Sequence, residues 1–128
     1  MVQVQIDTIE NTADARGFGT DAEGRSFRDG NAVVPLTLAV IERFEAQDDY
    51  VLIHAQGRRY LVALRVANLE TRLPNPPFLR VHRSHIVNLD HVERMVSLDD
   101  SRLEVRMKGG AKVPVSRIRS QEIRRRAR

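Results

Sequence analysis

From Val33 onward the apolar positions recur mostly at every second residue, the period of a strand with one buried face. Ile41, Phe44 and Ala46 mark one candidate strand, and residues 50–54 and 59–63 mark two more. The intervening Ala55-Gln-Gly-Arg58 makes a hairpin of the latter pair. Val66, Leu69 and Leu73 then switch to the i, i+3, i+7 spacing of an amphipathic helix of about two turns. Pro74, Pro76 and Pro77 stop it. Strand-like runs resume at 79–81, 92–98, 102–107 and 111–115. The third alternates cleanly, with Leu103, Val105 and Met107 on one face and Arg102, Glu104 and Arg106 on the other. Lys108-Gly-Gly-Ala111 is the turn into the last strand. Residues 117–128 close the chain as a short basic helix, with Ser116 as its N-cap. Many short strands with one or two short helices predict a mainly β fold, a sandwich or a barrel.

Residues 7–31 break this pattern, being poor in large apolar side chains and rich in Gly, Asp, Thr and Asn. Residues 1–32 are therefore read as a linker or N-terminal extension, with Val2 to Ile6 as a candidate extra strand. Residues 33–128 form the domain proper. A length of 128 residues suits one such domain with a single core. The longest apolar stretch, residues 36–41, is interrupted by Thr37 and far short of the roughly 20 residues of a membrane span. No basic region followed by an apolar block marks a secretory signal. The absence of cysteine excludes disulfides, thiolate metal sites and cysteine nucleophiles, and fits a reducing cytoplasm, where the chain is expected. Charge is uneven. Residues 1–30 carry three Arg against six acids, whereas 31–128 carry eighteen Lys or Arg against eleven acids. The last twelve residues hold six Arg and one Glu. Such a basic domain attracts polyanions, nucleic acid foremost. A solvated helix end accounts for the Arg-rich tail equally well.

Two segments carry candidate chemistry. In Phe78-Leu-Arg-Val-His-Arg-Ser-His-Ile-Val-Asn-Leu-Asp90 the alternation breaks at Arg83-Ser84, and Ile86-Val87 follow out of phase. The break predicts a turn or a short helical turn that Ser84 could cap, with Arg83 projecting from a rigid corner. The planar fork of Arg matches guanine O6/N7 or a phosphate, although a surface Arg over a capped turn fits the spacing as well. In Val113-Pro-Val-Ser-Arg117 a strand runs into a helix, whose free N–H groups suit a phosphate while Arg117 reaches a base edge. An ordinary capped helix with an exposed Arg is the plainer account. His82-x-x-His85, with His54 and His91, invites a metal, but no acidic residue lies between the first two. No metal and no cofactor are expected, and His82 is read as a hydrogen-bonded residue that fixes the turn. Asp48-Asp49 and Asp99-Asp100 sit in turn-like contexts. With no nucleophile elbow and no phosphate cradle, nothing here supports catalysis, and the chain is not expected to be an enzyme.

Phe44-Glu-Ala-Gln-Asp-Asp-Tyr-Val51, the 78–89 block and Val113-Pro-Val-Ser-Arg117 together resemble the LytTR DNA-binding domain family, in its order and spacing, over about residues 33–126. The resemblance implies an elongated antiparallel β-sandwich of three small sheets, whose loops along one edge enter successive major grooves of duplex DNA. It implies the output domain of a response regulator or sensor-regulator, bound as a homodimer to direct repeats. No receiver or sensor domain is visible in this chain. Position by position, the contacting loops map to Asp49-Tyr50, Arg83-Ser84 and Arg117. Arg83 and Arg117 would read bases, Ser84 and Arg80 would hold phosphate, and His82 and Asn88 would be structural. His85 stands where the family often has an aromatic. Asp48 and Asp49 would repel phosphate, although an Asp can accept from cytosine N4. Two rivals remain: a protein-interaction β-domain with a solubilising basic tail, and a single-strand binder. The latter needs stacking aromatics, and four Phe, two Tyr and no Trp leave few to spare.

Overall fold

Ten strands in three antiparallel sheets make up most of the computed structural model, which describes residues 3–8 and 32–126. The predicted mainly β architecture of three small sheets is what the chain adopts. β1 (Gln3–Thr8) pairs with β2 (Ala32–Thr37) from Gln3↔Thr37 to Thr8↔Ala32. The extra strand near the N-terminus therefore exists, and most of the expected linker lies outside the described residues. The apolar stretch after it splits, because β2 ends at Thr37 and a 3-10 turn, Leu38–Val40, follows.

The largest sheet contains β3 (Ile41–Gln47), β4 (Tyr50–Ala55), β5 (Arg58–Val62), β6 (Phe78–His82) and β7 (His85–Asn88), in the order β5-β4-β3-β7-β6. The β4–β5 hairpin closes through Gln56 and Gly57, both at positive φ (53° and 77°), the two-residue turn that matches strand twist. α1 (Val66–Glu70) is shorter than the predicted helix. Leu73 nonetheless reaches the core, because its N–H and that of Arg72 both bond back to the carbonyl of Leu69. The remaining strands, β8 (Val92–Ser97), β9 (Leu103–Met107) and β10 (Lys112–Pro114), form the third sheet in the order β10-β9-β8. Gly110, at φ 106°, closes the turn into β10, a conformation open to glycine. α2 (Arg117–Arg126) follows, its first turn capped by Ser116 Oγ, which accepts from the N–H of Arg119 at 3.2 Å. Among the described residues no helix is long and apolar enough to cross a membrane.

Two cores flank the large sheet. Ile41, Phe44, Val51, Ile53, Val62, Phe78 and Ile86 pack with α1 on one side. Val81 and Val87 pack on the other against Leu103, Val105, Met107, Val113 and Val115. Each such large side chain contributes about 1.5–3 kcal/mol by leaving water. Of the two alternatives expected at Arg83-Ser84, a turn and a short helical turn, the chain takes the turn, between β6 and β7. Residues 85–88 form a strand between β3 and β6, with Ile86 facing one core and Val87 the other, so the period of two vanishes. A bulge between Arg80 and His82 adds to the phase shift. Asn88, 1% exposed, ends the strand: its Nδ2 donates to the carbonyl of Ile41 at 2.8 Å, and its Oδ1 accepts from the N–H of Asp90 at 2.9 Å.

Candidate nucleic-acid interface

Two chain reversals and the start of α2 meet at one end of the large sheet. β3 and β4 turn through Asp48 and Asp49, with Gln47 opposite Tyr50. Asp48 sits at φ 55°, a region that short polar side chains tolerate. β6 and β7 turn through Arg83 and Ser84, with His82 opposite His85. Because β3 and β7 are neighbours, these two turns lie side by side, and the N–H of Ala46 donates to the carbonyl of Ser84 at 2.8 Å. The start of α2 is joined to the same place, since the N–H of Ser116 donates to the carbonyl of Val81 at 2.9 Å. A cleft of about 630 Å3 separates Arg83 and His82 from Ser116, Ile118 and Arg119. Arg83, Arg117 and Asp49 are exposed, while Tyr50 and Ser84 are half-buried. Among the described residues neither Arg83 nor Arg117 has an ion-pair partner.

The Arg83 turn is held rigidly. The N–H of Ser84 donates to His82 Nδ1 at 3.1 Å, so His82 fixes the turn as its place in the sequence suggested. That bond needs an unprotonated Nδ1. Burial, and then the Arg83 and Arg80 cations, push the His82 pKa below the usual histidine value. Arg80 braces the turn from below: its Nη2 donates to the carbonyl of Arg83 at 2.7 Å and its Nε to that of His82 at 3.3 Å. Its Nη1 meets Glu70 Oε1 at 2.9 Å. Three of the five N–H donors of the guanidinium expected to hold phosphate are thus engaged within the protein. Sequence spacing could not show this, because the carboxylate comes from the helix ten residues earlier.

Behind the turns lies a histidine cluster. His54 Nε2 and Glu45 Oε1 are 3.0 Å apart, and the rings of His82 and His85 meet edge-on at 5.4 Å. Burial and Arg43 lower the His54 pKa. Burial opposes ionisation of Glu45, but its hydrogen bond with His54 and the Arg43 charge outweigh it, and the net shift is downward. His85 is pushed down to about 4, first by burial, against the pull of Glu45, and its Nδ1 is buried with no partner among the described residues. Of the four histidines considered as ligands, His91 bonds to the carbonyl of Ala39 instead. Among the described residues no three His, Cys, Asp or Glu side chains are placed to hold a metal.

The basic tail divides in two. Arg124 bonds Ser97 Oγ and the carbonyls of Asp99 and Asp100, anchoring the end of α2 to the β8–β9 turn. Arg119 pairs with Glu70 and Glu122. Arg125 and Arg126 are exposed and without ion pairs among the described residues. On the far flank, Arg65 and Arg72 line a second cleft with Asp49 and Asn68. The sequence reading missed Ile118, which is 68% exposed. A signal was present: Ile118 and Ile123 are five residues apart, about 140° around a helix, so one face cannot bury both.

Comparisons with known proteins agree with this fold. Residues 31–128 match the family model described as the LytTr DNA-binding domain. The chain is 41% identical over 95 residues to the heme-containing CO-sensing transcriptional regulator RcoM 1 of Paraburkholderia xenovorans, covering 73% of this chain and 36% of that protein. It is 29% identical over 96 residues to the sensory transduction protein LytT of Bacillus subtilis, covering 75% and 40% respectively. The chain thus spans well under half the length of these relatives. A solved LytTr DNA-binding domain from Bacillus cereus superposes with a TM-score of 0.70 at 25% identity, covering 84% of this chain and 96% of that one.

Proposed function

This chain belongs to the LytTr DNA-binding domain family, and from that premise we propose that it binds duplex DNA sequence-specifically through the turns at the end of its large sheet. The family and the regulators it resembles make it a DNA-binding domain of transcription regulation. The finer reading is that residues 33–128 are the binding unit, inserting Arg83 and Arg117 into successive major grooves, where each reads a guanine edge. Ser84 contacts phosphate. Arg80 holds Arg83 in place with its engaged donors and offers the remaining two to phosphate. Asp49 accepts from cytosine N4, and Tyr50 supports that turn. Two copies sit head to tail on a direct repeat, as the output part of a response regulator or sensor-regulator in the cytoplasm.

The observation that carries this reading is the pair of main-chain bonds, Ala46 to Ser84 and Ser116 to Val81, that gather two hairpin turns and the start of α2 around two exposed, unpaired arginines. Arginines held by a stiff frame suit base reading, whereas a solubilising surface needs no such frame. Selection of bound sequences from a random duplex pool tests it directly. An enriched motif repeated about one helical turn apart is expected. Arg83→Ala and Arg117→Ala should each cost about 1–3 kcal/mol on that motif while leaving binding to random duplex far less affected. No enrichment, with little affinity for any duplex at low salt, would instead favour a protein-interaction module.

A further inference from the structure

Ile118 is the second residue of α2 and the most exposed large apolar side chain among the described residues, at 68%. The fold makes no use of its apolar character. Ile123 packs against the second core, and Ile118 points elsewhere on the helix. It lies instead in the cleft between the Arg83 turn and the helix start, directly after Arg117 and beside Ser116 and Arg119. A single exposed isoleucine needs no explanation on an ordinary surface. This one is surrounded by charged and hydroxyl groups at the place proposed to meet base edges.

The major groove presents one apolar group, the C5-methyl of thymine; every other recognition feature there is a donor or an acceptor. An isoleucine can make neither kind of bond, but it can pack on that methyl and remove water-exposed surface on both sides. It also disfavours cytosine and adenine at the same position, because their amino groups would be desolvated without a partner. Resting on the DNA-binding reading above, we infer that Ile118 is a specificity-determining residue that contacts a thymine methyl beside the base read by Arg117. The arginines would then fix guanines, and Ile118 would fix the thymine between or next to them.

The test follows the selection experiment with the 128-residue chain. Each thymine of the enriched site is replaced in turn by deoxyuridine, which removes the methyl and nothing else. One position should weaken wild-type binding about fourfold, the value of burying one methyl-sized group. Ile118→Ala should bind the thymine site about as weakly as wild type binds the uracil site, and should be indifferent to the replacement there. Ile118→Val should keep most of the discrimination. The thermal midpoint of Ile118→Ala should match wild type, since the side chain is outside both cores. If a motif is enriched but no uracil replacement matters, or if Ile118→Ala remains as sensitive as wild type, the thymine contact is wrong and the DNA-binding reading stands. If Ile118→Ala changes only the cooperativity of two copies on a repeat, the side chain meets the neighbouring protomer and the inference is overturned. If no motif is enriched at all, the underlying reading has failed and the inference falls with it.

Discussion

His85 shows how a single side chain couples the stability of this domain to pH. Its ring is half-buried beside His82 and opposite Glu45, its Nδ1 has no partner among the described residues, and its pKa is held near 4. In the unfolded chain the same group titrates near 6.5. Between these values the unfolded state binds a proton that the folded state does not, so acidification favours unfolding. The stabilising effect is complete above about pH 6.5 and is lost progressively as pH falls towards about 4. His54 and His82, also depressed, act in the same direction. Thermal midpoints measured from about pH 7 to 4.5 should fall, and His85→Phe should make that fall shallower. An unchanged slope in the variant would show that His85 is not the group responsible.

At the scale of elements, the position of α2 depends on a serine. Ser120, fully buried, uses its Oγ to accept the N–H of Leu103 at 3.0 Å, fastening the helix to the start of β9. Ser120→Ala leaves that N–H buried and unsatisfied, which should cost about 1–3 kcal/mol in denaturant unfolding. If the helix is what presents Arg117, the variant should also bind its site more weakly while keeping its preference among sequences. Elements with one wet face were legible from residue order alone. β9 alternates Leu103, Val105, Met107 against Glu104 and Arg106, and its burial follows that alternation. β7 was not legible, because Ile86, Val87 and Asn88 are all buried between two cores and carry no period. The Ser116 cap and the Arg83 turn could be read from residue type. The bracing of that turn by Arg80 could not, since Glu70 reaches it from another element.

The whole molecule presents positive charge unevenly. Residues 31–128 hold a net surplus of seven basic side chains, counted as eighteen Lys or Arg against eleven acids. Some are internal braces, as Arg80 and Arg124 are. Of the exposed basic side chains without ion pairs among the described residues, Arg83 and Arg117 lie on the turn and the helix that flank one cleft and Arg125 and Arg126 at that helix's end, while others, Arg58, Arg65, Arg94 and Lys112 among them, lie elsewhere on the surface. Duplex binding should therefore weaken steeply with salt, log K falling by about 0.9 per unit of log salt for each phosphate neutralised. Joint Arg125→Gln and Arg126→Gln substitution should weaken cognate and random duplex alike and flatten that slope by about 1 for each phosphate left without its arginine. A change confined to the cognate site would place these two residues among the base readers instead.

The clamps at Ala46–Ser84 and Ser116–Val81 join backbone to backbone, so no side chain at the tips takes part in them. Substitutions at residues 49, 83, 117 and 118 should consequently leave both clamps, and the spacing they set, in place. Under the proposed reading, a descendant of this domain is recoded for a new operator by swapping those few residues, and its ruler stays the same length.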